Sequence, residues 1–192
     1  MHAIDAEDIL EAKRRNKVGF VFGFQNCSPI EDRIANIETL HKLGVRIMQL
    51  SYNIRSLLAT GCYEDKDSGI TRFGKQAIKE MNRVGMVIDM SHCAEQSTLE
   101  AIELSERPIA ITHANPNFFH DALRNKSDNV LNALGDSGGI LGFSMYPFHL
   151  KNGSYCTLDE FCQMIAKIVD MMGIDNVALD SDLCEKWDYS KL

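Results

Sequence analysis

Six apolar runs of four to seven residues punctuate the chain: Val18–Phe24, Val45–Leu50, Met86–Met90, Ile109–Thr112, Gly139–Met145 and Asn176–Leu179. They are continuous rather than alternating, the pattern of strands buried on both faces of a parallel sheet. Between them apolar residues recur at helical spacing. Ala6–Arg15 predicts a short charged helix. Ser28-Pro29-Ile30-Glu31 reads as a helix start, with serine as cap, proline in the first turn and glutamate completing a capping box. Ile34, Ile37 and Leu40 continue that helix and Gly44 stops it. Thr71 predicts the cap of a helix running to Val84, with Phe73, Ala77, Ile78 and Met81 on one face. Further helices are expected over Glu95–Leu104, after Ser127, and from a second capping box at Thr157–Glu160 to Met172, where Gly173 ends it. The one long connection, Ile54–Ile70, exceeds the usual length in a compact domain, and such loops are commonly functional.

Strand and helix alternate six times, which predicts a parallel sheet covered by helices, with right-handed crossovers. An open doubly wound sheet and a barrel both satisfy this pattern. No glycine-rich phosphate-binding fingerprint follows a strand. Polar residues instead close most strands, namely Gln25, Tyr52, His92, His113, Tyr146 and Asp182. In a barrel these converge on the rim that carries active sites. The expected fold is therefore α/β, a (β/α)8 TIM barrel of which about six of eight βα units are present, as one partial barrel domain over residues 1–192.

Composition narrows the picture. The chain is 45% hydrophobic, sufficient for a sizeable core, and carries a net charge of −7. An acidic chain lacks the basic face that nucleic acid requires. The charged start, Met1–Lys17, is unlike a signal peptide, and no apolar run has the length of a membrane-spanning helix, so neither secretion nor a membrane is expected. Six cysteines without C-x-x-C spacing read as reduced thiols, which places the expected location in the cytoplasm.

The candidate chemistry centres on His92 and His113. Each closes an apolar run, and they stand one strand–helix–strand step apart. Imidazole is a common zinc ligand, and catalytic zinc usually takes three protein ligands. Asp182 follows the last strand, where a carboxylate can take a proton from water or bind a metal. Arg124, in the loop after His113, is suited to clamp a substrate carboxylate. Tyr52 and Asn53 can hydrogen-bond substrate at the rim. Asp89 and Asp180 read as buried partners without assigned chemistry. His41, His120 and His149 read as structural, and Cys93 has no base placed for it.

Several segments carry a resemblance. Gly69-Ile70-Thr71-Arg72-Phe73-Gly74, Glu80–His92 with its Asp89-Met90-Ser91-His92 ending, Ser105–Asn115 with Thr112-His113-Ala114-Asn115, Arg124-Asn125, and Asp180-Ser181-Asp182 resemble the membrane dipeptidase family, peptidase M19. The likeness runs from about Lys17 to Leu183. It implies a (β/α)8 metallo-hydrolase fold and zinc-dependent hydrolysis of dipeptides. It matches His92 and His113 to the two histidines of one zinc site, Asp182 to the acid/base and Arg124 to the arginine that holds the substrate carboxylate.

Three positions depart from the family pattern. There is no H-x-D pair ahead of the first strand, since His2-Ala3-Ile4-Asp5 has other spacing and precedes a helix. Gln25 stands at the family's bridging glutamate, and a neutral amide is a poor bridge. Tyr52 stands where better-known members have a substrate-contacting histidine. The expectation is a zinc dipeptidase, or a fragment of one, acting on small peptides and holding one zinc ion rather than two. The competing expectation is a catalytically silent remnant that binds a ligand or a second copy of itself.

Overall fold

The computed structural model describes residues 1–182. Cys184 and Leu183 lie outside them. The described residues form two compact units, 1–107 and from Pro108 onward. The fold is α/β, of the (β/α)8-barrel type, with six strands among the described residues.

In the first unit β1 (Phe22–Phe24), β2 (Val45–Gln49) and β3 (Val87–Asp89) are parallel neighbours in chain order. Their helices are α1 (Ala6–Arg14), α2 (Ala35–Lys42), α3 (Arg72–Val84) and α4 (Glu95–Leu104). The Thr71 hydroxyl accepts from the Gly74 amide at 2.9 Å, and Gly85 ends α3 at φ +81°, a left-handed conformation that glycine adopts without strain. Ala77, Ile78 and Met81 of α3 are buried. The amino end of α4 begins at Ala94, which has no capping side chain. Asp67 of the long loop supplies the cap instead: its carboxylate accepts from the Gln96 amide at 2.6 Å and the Ser97 hydroxyl at 3.0 Å.

Two expectations fail here. Ser28 opens only a 3-10 turn, Ser28–Ile30, and the predicted capping box does not form. Glu31 takes φ +52°, which breaks any helical continuation, and the helix proper starts at Ala35. The first strand is also shorter than its apolar run. Phe20 pairs instead with the chain start, with the Ala3 amide donating to the Phe20 carbonyl at 2.8 Å and the Phe20 amide to the Met1 carbonyl at 3.0 Å. Val18, Phe20 and Phe22 are exposed, so this run lacks the two-sided burial its composition suggested.

In the second unit β4 (Ala110–Ala114), β5 (Ile140–Ser144) and β6 (Val177–Asp180) are again parallel neighbours in chain order. Helices α5 (Asp128–Asp136) and α6 (Leu158–Met172) pack together. Ser127 caps α5, and both arms of the Thr157–Glu160 capping box are made. Gly142 is required by contact rather than by φ: a Cβ there would lie 1.9 Å from the Thr112 carbonyl oxygen. His113 sits inside β4, one residue before its end, instead of closing it, and the register with β5 shifts between Ile111 and Ala114.

Candidate metal and acid–base site

In the first unit the turn after β3 presents His92. Asp89 knots that turn. One carboxylate oxygen accepts from the Ser91 amide at 2.9 Å and from the Ser91 hydroxyl; the other accepts from the Gln49 amide nitrogen at 3.0 Å. The long loop clamps the same turn, with the Cys62 amide donating to the His92 carbonyl at 2.9 Å. The His92 ring is buried, and its Nδ1 lies 2.7 Å from Asn53 Oδ1. An amide oxygen only accepts, so Nδ1 carries the proton and Nε2 is the basic nitrogen. A ring so fixed is the usual state of a metal-ligating histidine. Tyr52, half exposed, stacks on it with centroids 4.1 Å apart. Asn53, expected at the rim for substrate, thus has its carbonyl oxygen engaged by His92.

Gly61 makes that approach possible. A Cβ at Gly61 would lie 2.4 Å from the Asn53 carbonyl carbon.

In the second unit His113 is 4% exposed, with Nδ1 2.8 Å from the Thr112 hydroxyl. Arg124 is no solvated loop residue. It is 2% exposed, and its guanidinium donates to the His113 carbonyl at 3.1 Å. Asp182 follows β6 at φ +52°, its amide donating to Asp180 Oδ1 at 2.8 Å. Burial pushes its carboxyl above the usual range and Asp180 adds to the rise, while the charges of His113 and Arg124 oppose it.

The residue sequence reasoning missed is His149. Read as structural, it is buried within the same constellation. Its Nδ1 lies 2.9 Å from Ser144 Oγ, and that hydroxyl points to Asp182 Oδ2 at 3.4 Å. Burial, reinforced by the Arg124 charge, pushes its pKa down to about 3, so the ring is neutral. Two buried asparagines hold the frame. Asn115 donates to the carbonyls of Ser144 at 2.9 Å and His149 at 3.1 Å, and Asn125 donates to the His149 carbonyl at 3.1 Å. The only sequence signal was a Tyr-Pro-Phe-His turn directly after a strand.

The imidazoles of His92 and His113 have the donor chemistry for a divalent cation, each with Nδ1 already engaged. No group of three His, Cys, Asp or Glu side chains that could hold a metal occurs among the described residues. Gln25 is exposed just after β1. None of the five described cysteines forms a disulfide, and no described helix is long and apolar enough to cross a membrane.

Active sites of barrel-type α/β folds sit at the carboxyl ends of the strands. The chain belongs to the membrane dipeptidase family, peptidase family M19, whose sequence profile matches residues 1–186. It is 29% identical to dipeptidase C965.12 of Schizosaccharomyces pombe over 92% of its length and 44% of that protein. It is 25% identical to dipeptidase tcpJ of Claviceps purpurea, over 92% of its length and 42% of that protein. The chain thus spans less than half the length of these curated relatives. An amidohydrolase structure from Pseudomonas aeruginosa, 34% identical, superposes at TM-score 0.94 over 100% of this chain and 58% of that one. A Rhodobacter sphaeroides metallopeptidase, solved with a phosphinate mimic of the dipeptide L-Ala-D-Ala, shares the fold at TM-score 0.87 and 20% identity, over 95% of this chain and 55% of that one.

Proposed function

We propose that this chain carries part of the active site of a zinc-dependent dipeptidase. The observation that supports it is the buried His92 imidazole of the first unit, whose Nδ1 is engaged by an acceptor that makes Nε2 basic; in the second unit the His113 imidazole is likewise buried, with Nδ1 engaged. Zinc, when bound, would supply a Lewis acid toward the scissile carbonyl and acidify water. Arg124 holds the C-terminal carboxylate of the dipeptide as a bidentate clamp. Asp182 moves the proton, taking it at its carboxylate from the attacking water and giving it to the leaving amine. Its raised proton affinity suits both halves of that task. Tyr52 covers the His92 ring and packs against substrate.

The test is dipeptide hydrolysis by the purified chain with added zinc, beside Asp182→Asn. Turnover that Asp182→Asn abolishes without lowering zinc content supports the reading. No zinc above background with both histidines intact overturns it. The second reading, a silent remnant that binds a ligand or self-associates, is favoured by Gln25, whose neutral amide stands at the family's bridging glutamate. It predicts zinc or dipeptide binding without turnover.

A further inference from the structure

The buried polar residues of the second unit include a pair that the proposed mechanism leaves unused. His149 Nδ1 lies 2.9 Å from Ser144 Oγ, the Tyr146 amide donates to the same oxygen at 3.1 Å, and Oγ lies 3.4 Å from Asp182 Oδ2. A serine hydroxyl has one hydrogen and two lone pairs. The Tyr146 amide fills one lone pair. If the single hydrogen is directed to the Asp182 carboxylate, the remaining lone pair must be filled by an N–H from His149. The hydrogen-bond count is then complete: two bonds accepted and one donated at Oγ. It also sets the tautomer of His149 with its proton on Nδ1.

We propose that His149 is a positioning residue for Asp182: by donating Nδ1–H to Ser144 it turns the serine hydroxyl toward the Asp182 carboxylate and holds that carboxylate in one orientation. This rests on the reading of Asp182 as acid/base. The frame is built for such a task. Ser144 is fully buried, its backbone amide donates to Asn115 Oδ1 at 3.1 Å, and the His149 carbonyl is fixed from two sides by Asn115 and Asn125. Neither end of the relay can drift without breaking buried hydrogen bonds. The neutral state of His149 keeps its proton on one nitrogen only, so the direction of the relay is defined. The Ser144–Asp182 distance is long for O–H···O, and catalytic hydrogen bonds of this kind shorten when substrate is bound. The charges of His113, Arg124 and Asp180 also act on the Asp182 carboxyl.

The experiment uses three variants of the full chain. His149→Leu removes the donor, His149→Asn keeps an N–H near the Nδ1 position, and Ser144→Ala removes the hydroxyl. Correct folding is checked by circular dichroism. In dipeptide hydrolysis with zinc, His149→Leu and Ser144→Ala are expected to lower kcat about 10- to 100-fold with KM within about twofold, and His149→Asn to recover most of it. A second readout does not need turnover: the carboxylate carbon of Asp182, followed by NMR titration, is expected to move its midpoint upward in His149→Leu and Ser144→Ala and return in His149→Asn. An unchanged midpoint in all three folded variants overturns the relay. A wild-type chain that hydrolyses nothing while the midpoint shifts as stated overturns the dipeptidase reading and leaves the relay standing.

Discussion

Asn53 Oδ1 and His92 Nδ1 are 2.7 Å apart, joining the loop after β2 to the turn after β3. The contact decides which imidazole nitrogen has its lone pair. Replacing Asn53 by Ala removes the acceptor and lets the ring rotate and exchange tautomers. Zinc affinity, measured by competition with a chromogenic chelator, is expected to fall about 10- to 100-fold. Asn53→Asp keeps an acceptor and is expected to retain affinity.

Gly61→Ala reaches the same ring indirectly. The new methyl collides with the Asn53 backbone, 2.4 Å from its carbonyl carbon, and backbone cannot swing aside as a side-chain tip does. Urea unfolding is expected to show a loss of about 1–3 kcal/mol, the range for an overpacked site. Zinc affinity should fall with it, as for Asn53→Ala.

Asp182 exchanges stability for chemistry. Its carboxyl is held above the usual range, chiefly by burial, so the folded state prefers the neutral acid. At neutral pH the charged form therefore opposes folding, and this cost disappears as the pH falls below the ordinary carboxylate range. Asp182→Asn is expected to melt higher than wild type at pH 7 in metal-free buffer and equally at pH 3, while losing hydrolysis.

His149 has the opposite sign. Its folded pKa, about 3, lies below the ordinary histidine value near 6.5. Between these values the unfolded chain binds the extra proton and the folded chain does not. The histidine's contribution to stability is complete above pH 6.5 and declines as the pH falls, by at most about 1.4 kcal/mol per unit. Urea unfolding at pH 7, 6 and 5 should show a steeper decline for wild type than for His149→Asn. Parallel lines would show that this ring is not held neutral.

Arg124 is buried beside His113 rather than free in solvent. Arg124→Lys keeps the charge and loses the planar fork. KM for dipeptides is expected to rise about tenfold or more, with little change for substrates whose C-terminal carboxylate is amidated.

Local chemistry was legible in the sequence. Thr71, Ser127 and Thr157 cap helices where expected because a cap depends on its own residue and the next three. Glu95–Leu104 starts and ends as read. Ser28 satisfied the same pattern and failed, because Glu31 turns left-handed, which a cap motif does not encode. The apolar run Val18–Phe24 predicts full burial; its exposure depends on what covers it, which periodicity cannot report. The site divided in the same way. His92 and Asp182 follow strands, and His113 lies one residue short of the end of its strand, a positional signal. His149 lies in a turn after β5, and its place beside Ser144 and Asp182 comes from the packing of Asn115 and Asn125, residues far from it in sequence.

The long loop Ile54–Ile70 is tied down near its far end by Asp67 at the start of α4 and midway by Cys62 on His92. Its conformational entropy is therefore surrendered when the first unit folds, before any ligand arrives. A cation meeting His92 finds a ring already oriented, so binding need not order the loop, and amide hydrogen exchange across it should change little when zinc is added.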